Sequence, residues 1–303
     1  MNRRHFSQLT TSFAALAGGS AFANHHEEKG KAFLAKFGPH PGLLPVGPGE
    51  KDGYIAQLQF AYDLGFRGWE DNGFNGQKPE VQEEVGAFMK EKKMAFGVSV
   101  ITSGANAMFN KPTPEQLASI KKDLLRGVEV AKRSGQTFMT MLPGIRDESM
   151  TREEQIAASV DTMKMCCDLV EEAGIVLAQE PLSHPIGGGQ PLIRSFEDGH
   201  LLCKLVNRKS CKLLADFFHE GQIGNGDKLV ENAEKVWDQV CYIQYGDSPG
   251  RKEPGTGTLD LGVVTKFLRE KKYDGVIGME HGASKNGQEG LDALLGSYRK
   301  IDA

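Results

Sequence analysis

Eight short apolar segments, each followed by a longer segment with helical periodicity, run through this chain and restrict it to a small class of folds. The apolar segments fall at residues 35–37, 66–69, 95–100, 137–141, 176–179, 212–215, 241–244 and 276–279. The helical segments fall at residues 53–64, 79–92, 114–134, 151–173, 195–207, 227–237, 259–271 and 289–300. Continuous apolar runs are typical of parallel strands covered by helices on both faces. Eight strand-helix units therefore predict an α/β fold, a (β/α)8 TIM barrel.

An open, doubly wound sheet is the competing architecture. Such a sheet normally carries a glycine-rich phosphate-binding loop after its first strand, where the loop opens a helix. Here the first apolar segment continues Gly38-Pro39-His40-Pro41-Gly42. This run contains too much proline to open a helix around a pyrophosphate, so the barrel is favoured.

The N-terminal 23 residues have the pattern of an export signal rather than of a folded domain. Arg3 and Arg4 are followed by Phe6, by an alanine-rich run at 11–22 and by a small-x-small cleavage pattern at 21–23. This predicts a twin-arginine-type signal peptide at 1–23, a single barrel domain at 24–303 and a periplasmic or extracellular location. The alternative is an amphipathic helix docked on the domain. No later segment has the run of about 20 apolar residues that a membrane span needs.

Charge and cysteine content exclude several other classes. The chain has 36 Lys and Arg against 40 Asp and Glu, a formal net charge of −4. Nucleic-acid binding requires a basic surface, so a small anionic or neutral substrate is expected instead. The five cysteines form no CxxC motif, which argues against a disulfide framework.

Carboxylate or amide side chains end four consecutive apolar segments, from the fifth to the eighth. They are Glu180, Asp216, Gln244 and Glu280. In a closed barrel these strand ends converge, and three neighbouring carboxylates cannot all stay ionised without a cation. Oxygen ligands favour Mg²⁺ or Mn²⁺, with Zn²⁺ or Co²⁺ as alternatives.

Two further polar residues lie near these strand ends. His219 comes three residues after Asp216 and is a candidate for contact with a ligand. Glu70 ends the second apolar segment, at the right height for substrate contact.

The stretch from Gln244 to Gly257, which contains Pro249-Gly250-Arg251, resembles the strand-seven signature of hydroxypyruvate isomerases. These enzymes belong to the xylose-isomerase-like sugar isomerase and epimerase barrels. Asp216-Phe217-Phe218-His219 resembles the Asp-x-x-His of strand six, and the contexts of Glu180 and Glu280 match the two remaining positions. The resemblance covers the domain in order and spacing.

The resemblance implies a role for each of these residues. Glu180, Asp216, Gln244 and Glu280 would hold the metal, and Glu180 and Glu280 would also act as the acid/base pair. His219 and Arg251 would bind substrate oxygens. The implied activity is a metal-dependent aldose-ketose isomerisation of the hydroxypyruvate/tartronate semialdehyde type, with proton transfer through a cis-enediolate.

Departures from that pattern leave other reactions open. His281-Gly282 follows Glu280, where hydroxypyruvate isomerases typically have an aromatic and then a basic residue, and the loop at 183–191 also differs. A ketose 3-epimerase or a 3-keto-sugar lyase would use the same metal site. An abasic-site endonuclease would need more metal ligands and a basic groove, and paired carboxylates argue against a non-catalytic sugar-binding barrel. Assembly into a homo-oligomer stays open.

Overall fold

Strands and helices alternate along residues 30–44, 53–102 and 107–303, which this computed structural model describes. The nine strands in these ranges are β1 (Lys36–Gly38), β2 (Gly68–Trp69), β3 (Ala95–Phe96), β4 (Val100–Thr102), β5 (Phe138–Met141), β6 (Val176–Gln179), β7 (Cys211–Asp216), β8 (Val240–Tyr245) and β9 (Val276–Met279). The ten α-helices are α1 (Tyr54–Asp63), α2 (Pro79–Lys92), α3 (Pro114–Ser134), α4 (Arg152–Ala158), α5 (Val160–Val170), α6 (Phe196–Val206), α7 (Phe217–Glu220), α8 (Leu229–Val236), α9 (Leu261–Glu270) and α10 (Gly287–Ile301). The predicted signal peptide at 1–23 lies outside the described residues, so export stays a prediction.

The strands form a parallel ring. Seven of them pair in the order β1-β9-β8-β7-β6-β5-β4, and β2 pairs with β3 in a second, two-stranded sheet. The two sheets are linked between β1 and β2, where the Glu70 N–H donates to the Pro39 carbonyl oxygen at 3.1 Å. Pairing of the first strand with the last is what closes a barrel, so the predicted (β/α)8 fold is confirmed.

The third predicted strand, 95–100, is wrong as a continuous element, because residues 97–99 separate β3 from β4. Side chains take over part of the backbone hydrogen bonding there. Gln136 Nε2 donates to the Gly97 carbonyl oxygen at 2.8 Å, and Ser99 Oγ donates to Gln136 Oε1. A Cβ at position 97 would lie 2.0 Å from the Tyr242 hydroxyl, so the break makes room for that ring.

The predicted helix at 151–173 is divided into α4 and α5 at Ser159. Its Oγ donates to the carbonyl oxygen of Gln155 at 2.8 Å, a bond that bends helices. The predicted starts of three helices are confirmed, since Thr113, Thr151 and Ser195 each form a capping box.

The core has two parts. The larger one lies between the strands and the surrounding helices. The smaller one contains Val98, Ala178, Leu214, Tyr242 and Val276. Three of these residues come two positions before a predicted metal ligand on the same strand, and alternate residues of a strand share a face. The smaller cluster is therefore an apolar floor beneath the strand ends where the site is expected.

Helices that could cross a bilayer are absent from the described part of the chain, where none combines sufficient length with sufficient apolarity. The five cysteines are all free thiols, and four of them are buried.

Candidate active site

The four predicted metal ligands all come to the carboxyl-terminal edge of the barrel. Glu180 follows β6, Asp216 ends β7, Gln244 lies near the end of β8 and Glu280 follows β9. Asp216 is directly opposite Gln244 in the pairing of β7 with β8. Glu180, Asp216 and Gln244 are buried, whereas the Glu280 side chain is 21% exposed. The site is therefore open on the β9 side.

The carboxylates of this edge disfavour ionisation of one another. Burial raises the pKa of Glu180 well above its ordinary value, and the neighbouring charges of Glu280 and Asp216 add to the rise. Burial likewise raises the pKa of Asp216 to about 6, against the opposing effects of Arg251 and of the Phe218 N–H. Burial and the charge of Asp216 raise the pKa of Glu280. A bound cation would relieve this repulsion.

Asp216 is oriented by the short helix α7, which sequence reasoning missed. Its Oδ1 accepts a hydrogen bond from the Phe218 N–H at 2.7 Å and so caps the helix. An aspartate at the end of a strand is a common N-cap, and that was the available signal. Capping leaves Oδ2 directed at the site, where it lies 3.5 Å from His219 Nε2.

The ring of His219 points one nitrogen into the site. Nδ1 accepts a hydrogen bond from the Ser183 N–H at 3.3 Å, and Ser183 Oγ lies 2.8 Å from the same atom. A backbone N–H can only donate, so Nδ1 is unprotonated and Nε2 carries the proton. Burial, helped by the charge of Arg251, lowers the pKa of His219 to about 3, which makes the ring neutral.

His219 could complete a three-residue cation site by distance alone, since ligand atoms of Glu180, Asp216 and His219 lie within 4.8 Å of one another. The protonation of Nε2 opposes that assignment because it leaves no lone pair on the nitrogen facing the carboxylates. Nε2 lies 3.8 Å from Glu180 Oε1 and has no hydrogen-bond partner. This geometry favours His219 as a donor to a ligand oxygen.

A hydrogen bond to Glu70 holds the amide of Gln244. Its Nε2 donates to Glu70 Oε1 at 3.0 Å, and its own Oε1 is buried without a partner. The Tyr242 hydroxyl donates to Glu70 Oε2 at 2.7 Å. Burial and the charge of Glu280 raise the pKa of Glu70, while these two donated bonds oppose the rise.

Glu70 was expected from the sequence to contact substrate. The structure disfavours that expectation, because the residue is 1% exposed and each of its oxygens already accepts a bond from a barrel side chain. Its position at a strand end was correctly identified, but the direction of its side chain depends on neighbours on β8.

Arg251 reaches the site from the loop after β8. Its Nη2 lies 3.0 Å from Glu280 Oε2 and 3.4 Å from Asp216 Oδ2, and its guanidinium stacks on the Phe218 ring at 4.7 Å.

Asn72, which sequence reasoning did not select, donates from Nδ2 to Glu280 Oε1 at 3.0 Å. The signal for Asn72 was its place directly after the Glu70-Asp71 pair. Glu280 is thus oriented through both oxygens.

The loop that carries Arg251 is organised around the buried carboxylate of Asp247. Its oxygens accept hydrogen bonds from the backbone N–H groups of Gly255 and Gly257, both at 2.8 Å, and of Leu259 at 3.0 Å. Two glycines are required here, because Gly255 has a φ of 87° and a Cβ at Gly257 would lie 2.6 Å from Asp247 Oδ1. The loop forms a rigid platform for the guanidinium.

Comparison with known proteins identifies relatives of this chain. Residues 58–301 match the xylose isomerase-like TIM barrel family. The chain is 23% identical over 250 residues to hydroxypyruvate isomerase of Escherichia coli, covering 80% of this chain and 93% of that protein. It is 28% identical over 157 residues to a putative hydroxypyruvate isomerase of Streptomyces coelicolor, and 24% identical over 161 residues to inosose isomerase of Bacillus subtilis. These last two matches cover 50% of this chain and only 55% and 56% of the two relatives.

Solved structures share the fold at low identity. A 3-keto-D-glucoside 4-epimerase from E. coli superposes with a TM-score of 0.70 at 19% identity, covering 88% of this chain and 99% of that one. A D-psicose 3-epimerase from Clostridium cellulolyticum H10, crystallised with D-tagatose, superposes with a TM-score of 0.62 at 17% identity, covering 88% and 91%. Together with the family match over most of the described barrel, this establishes that the chain belongs to the xylose isomerase-like TIM barrel family.

Proposed function

We propose that this chain is a metal-dependent aldose-ketose isomerase of the hydroxypyruvate isomerase type. The observation that carries the proposal is the group formed by the buried carboxylates of Glu180 and Asp216 and the partly exposed carboxylate of Glu280, beside the partnerless Oε1 of Gln244. Relatives named hydroxypyruvate isomerase and inosose isomerase support the reaction class.

The donor set fits a divalent cation. Burial raises the pKa values of the three carboxylates even though Arg251 opposes the rise, and Gln244 Oε1 is a buried acceptor without a partner. Glu180, Asp216, Gln244 and Glu280 would hold the ion, and their hard oxygen atoms favour Mg²⁺ or Mn²⁺. When bound, it would polarise the substrate carbonyl and acidify the adjacent C–H.

Glu180 and Glu280 supply the acid/base pair. They stand on β6 and β9, separated around the ring by β7 and β8, so they can approach a substrate from different sides. A carboxylate held beside the reacting carbon is a common general base, and its protonated form a general acid. One removes the proton from the carbon beside the carbonyl, and the other serves the neighbouring carbon or hydroxyl.

His219 and Arg251 bind the substrate. His219 donates from Nε2 to a carbonyl or hydroxyl oxygen, and its neutral ring adds no competing positive charge. Arg251 offers a planar pair of N–H donors that matches the carboxylate of a hydroxy-keto acid. Its stacking on Phe218 and its bond to the Glu280 carbonyl oxygen hold the guanidinium in place.

A second candidate is epimerisation of a ketose at C3, or lyase action on a 3-keto-sugar. His281 favours it, because its Nε2 is 2.8 Å from the Tyr298 hydroxyl and the ring is 4% exposed. Burial also lowers the pKa of His281 to about 4, so this position offers the substrate no positive charge. An uncharged sugar needs no basic residue at this position.

Proton NMR in D₂O separates the two candidates. The Mn²⁺-loaded protein is first incubated with hydroxypyruvate, then with a panel of ketohexoses, and each sample is quenched with EDTA and freed of metal before the spectrum is recorded. Loss of the hydroxypyruvate CH₂ signal, with tartronate semialdehyde appearing, supports the isomerase. Exchange confined to C3 of a ketohexose supports the second candidate.

Glu180→Gln should abolish either exchange, whereas Glu129→Gln on the exposed face of α3 should leave the exchange unchanged. Full activity of Glu180→Gln would refute the proposed chemistry.

A further inference from the structure

We propose that Glu70 is a positioning residue that sets the orientation of the Gln244 amide, so that Oε1 rather than the NH₂ group faces the cation. The inference rests on the proposed metal site and adds a role that the strand-end pattern does not assign. A carboxamide has two nearly isosteric ends, and only the oxygen can bind a cation. Something in the protein must therefore select one end.

The selection comes from the acceptor beneath the amide. Glu70 is the acceptor toward both of its barrel neighbours: its Oε2 accepts from the Tyr242 hydroxyl at 2.7 Å, and its Oε1 accepts from the NH₂ end of Gln244 at 3.0 Å. Rotation of the amide by half a turn would place two oxygens against each other. Gln244 Oε1 is consequently turned away from Glu70, and it is this atom that is buried without a partner.

Glu70 is itself held by a hydrogen bond from a buried tyrosine. The Tyr242 hydroxyl donates to Glu70 Oε2 at 2.7 Å, and Tyr242 is 1% exposed. Two glycines provide the space. A Cβ at Gly278 would lie 1.9 Å from Glu70 Oε2, and one at Gly97 would lie 2.0 Å from the Tyr242 hydroxyl oxygen.

The four elements that supply these residues are far apart in the chain and converge only in the closed barrel. β2 leads into Glu70, β8 carries Tyr242 and Gln244, β9 carries Gly278, and Gly97 follows β3. The Glu70 side chain runs under Gln244 rather than into the open side of the site, so its hydrogen-bonded contact with the predicted ligands is through the amide. Hydrogen bonds of this kind orient metal ligands, and their loss commonly costs about 10–100-fold in metal affinity.

The test is a double-mutant cycle on Mn²⁺ affinity, measured by titration calorimetry without substrate. Glu70→Gln keeps the shape of the side chain but can pair with either end of the Gln244 amide. We expect it to weaken Mn²⁺ binding by about 10–100-fold in the wild-type background. In a Gln244→Ala background the same change should alter the affinity by less than about twofold, because no amide is left to orient.

Two further variants serve as a second test and as a control. Tyr242→Phe removes the donor to Glu70 and should weaken Mn²⁺ binding in the same direction, which keeps the inference testable if Glu70→Gln folds poorly. Asp71→Asn changes the adjacent buried carboxylate, which bonds to the Tyr54 hydroxyl and the Gly73 N–H, and should leave the Mn²⁺ affinity unchanged. Melting temperatures of all variants separate loss of affinity from loss of fold.

The possible results distinguish the proposed metal site from the positioning role of Glu70. Failure of the wild-type protein to bind Mn²⁺ would overturn the proposed metal site and this inference together. Binding by the wild type, with an equal loss from Glu70→Gln in both backgrounds, would overturn only the positioning role and indicate a direct effect of the Glu70 charge. An unchanged affinity in Glu70→Gln would overturn it as well.

Discussion

Raising the pH of the metal-free protein should lower its stability through Asp216. The pKa of this buried carboxyl is raised from 3.8 to about 6 in the folded state, mainly by burial. A raised pKa means that the folded state holds the proton more tightly than the unfolded state. The stabilisation that comes from this tighter proton binding is fully present below the unfolded pKa and is lost as the pH rises through about 6.

The size of the effect follows from the shift. One pKa unit corresponds to about 1.4 kcal/mol, so Asp216 alone should cost about 3 kcal/mol of unfolding free energy, mostly between about pH 4 and pH 7. Glu180 and Glu280 also have raised pKa values and act in the same direction. A bound divalent cation should remove this dependence, because it keeps the carboxylates ionised without the repulsion.

The assay is urea unfolding across that pH range, with EDTA or with Mn²⁺, on the wild type and on Asp216→Asn. The asparagine keeps an oxygen that can accept the Phe218 N–H bond, so the cap of α7 is preserved. The difference in unfolding free energy between the two metal-free proteins should change by about 3 kcal/mol as the pH rises. Parallel pH profiles for the two proteins would refute the reasoning, since they would show that Asp216 is already ionised in the folded state at acidic pH.

Three other outcomes are expected. Glu280→Gln should lower kcat by about 10²–10⁴-fold with an unchanged circular dichroism spectrum, and a smaller loss in steady-state assays would argue against its acid/base role. Gly278→Ala should destabilise the protein by about 1–3 kcal/mol because its Cβ would meet Glu70. Gly296→Ala, at an exposed position of helix α10 where a Cβ would have nothing within 4 Å, should stabilise it by about 0.5–1 kcal/mol, and equal melting temperatures of the two variants would contradict this. Asp247→Ala should raise KM, because the loop of Arg251 loses the acceptor for three backbone N–H groups, and an unchanged KM would show that the loop is held by other contacts.

Much of the fold could be predicted from the sequence because each element signals itself locally. Helices α2 and α3 begin and end where the helical periodicity predicts them. The errors lie where one element is interrupted by another. The third strand is broken because Gln136 and Tyr242, distant in the chain, occupy the space around Gly97, and no local pattern at 95–100 indicates this.

The candidate site was likewise predictable only in part. Residue types at strand ends predicted that Glu180, Asp216, Gln244 and Glu280 lie at one edge, and the barrel brings them there, while their role as metal ligands stays a prediction. Asn72 was missed because its only signal, its place directly after Glu70 and Asp71, is weak in a loop, where asparagine is common. Glu70 was selected but given the wrong surroundings, since its partners on β8 are determined by the curvature of the sheet.

By itself, the sequence determined the barrel and the chemical types of the groups at its edge, because strand periodicity, helix caps and strand-end polarity are properties of neighbouring residues. The tertiary structure alone decided which atoms of those groups are available. It protonates His219 on Nε2 through Ser183, turns the Gln244 oxygen inward through Glu70 and directs Arg251 to Glu280 and Asp216. Each of these depends on a distance of a few ångströms between residues far apart in the chain, and only the closed barrel sets such distances.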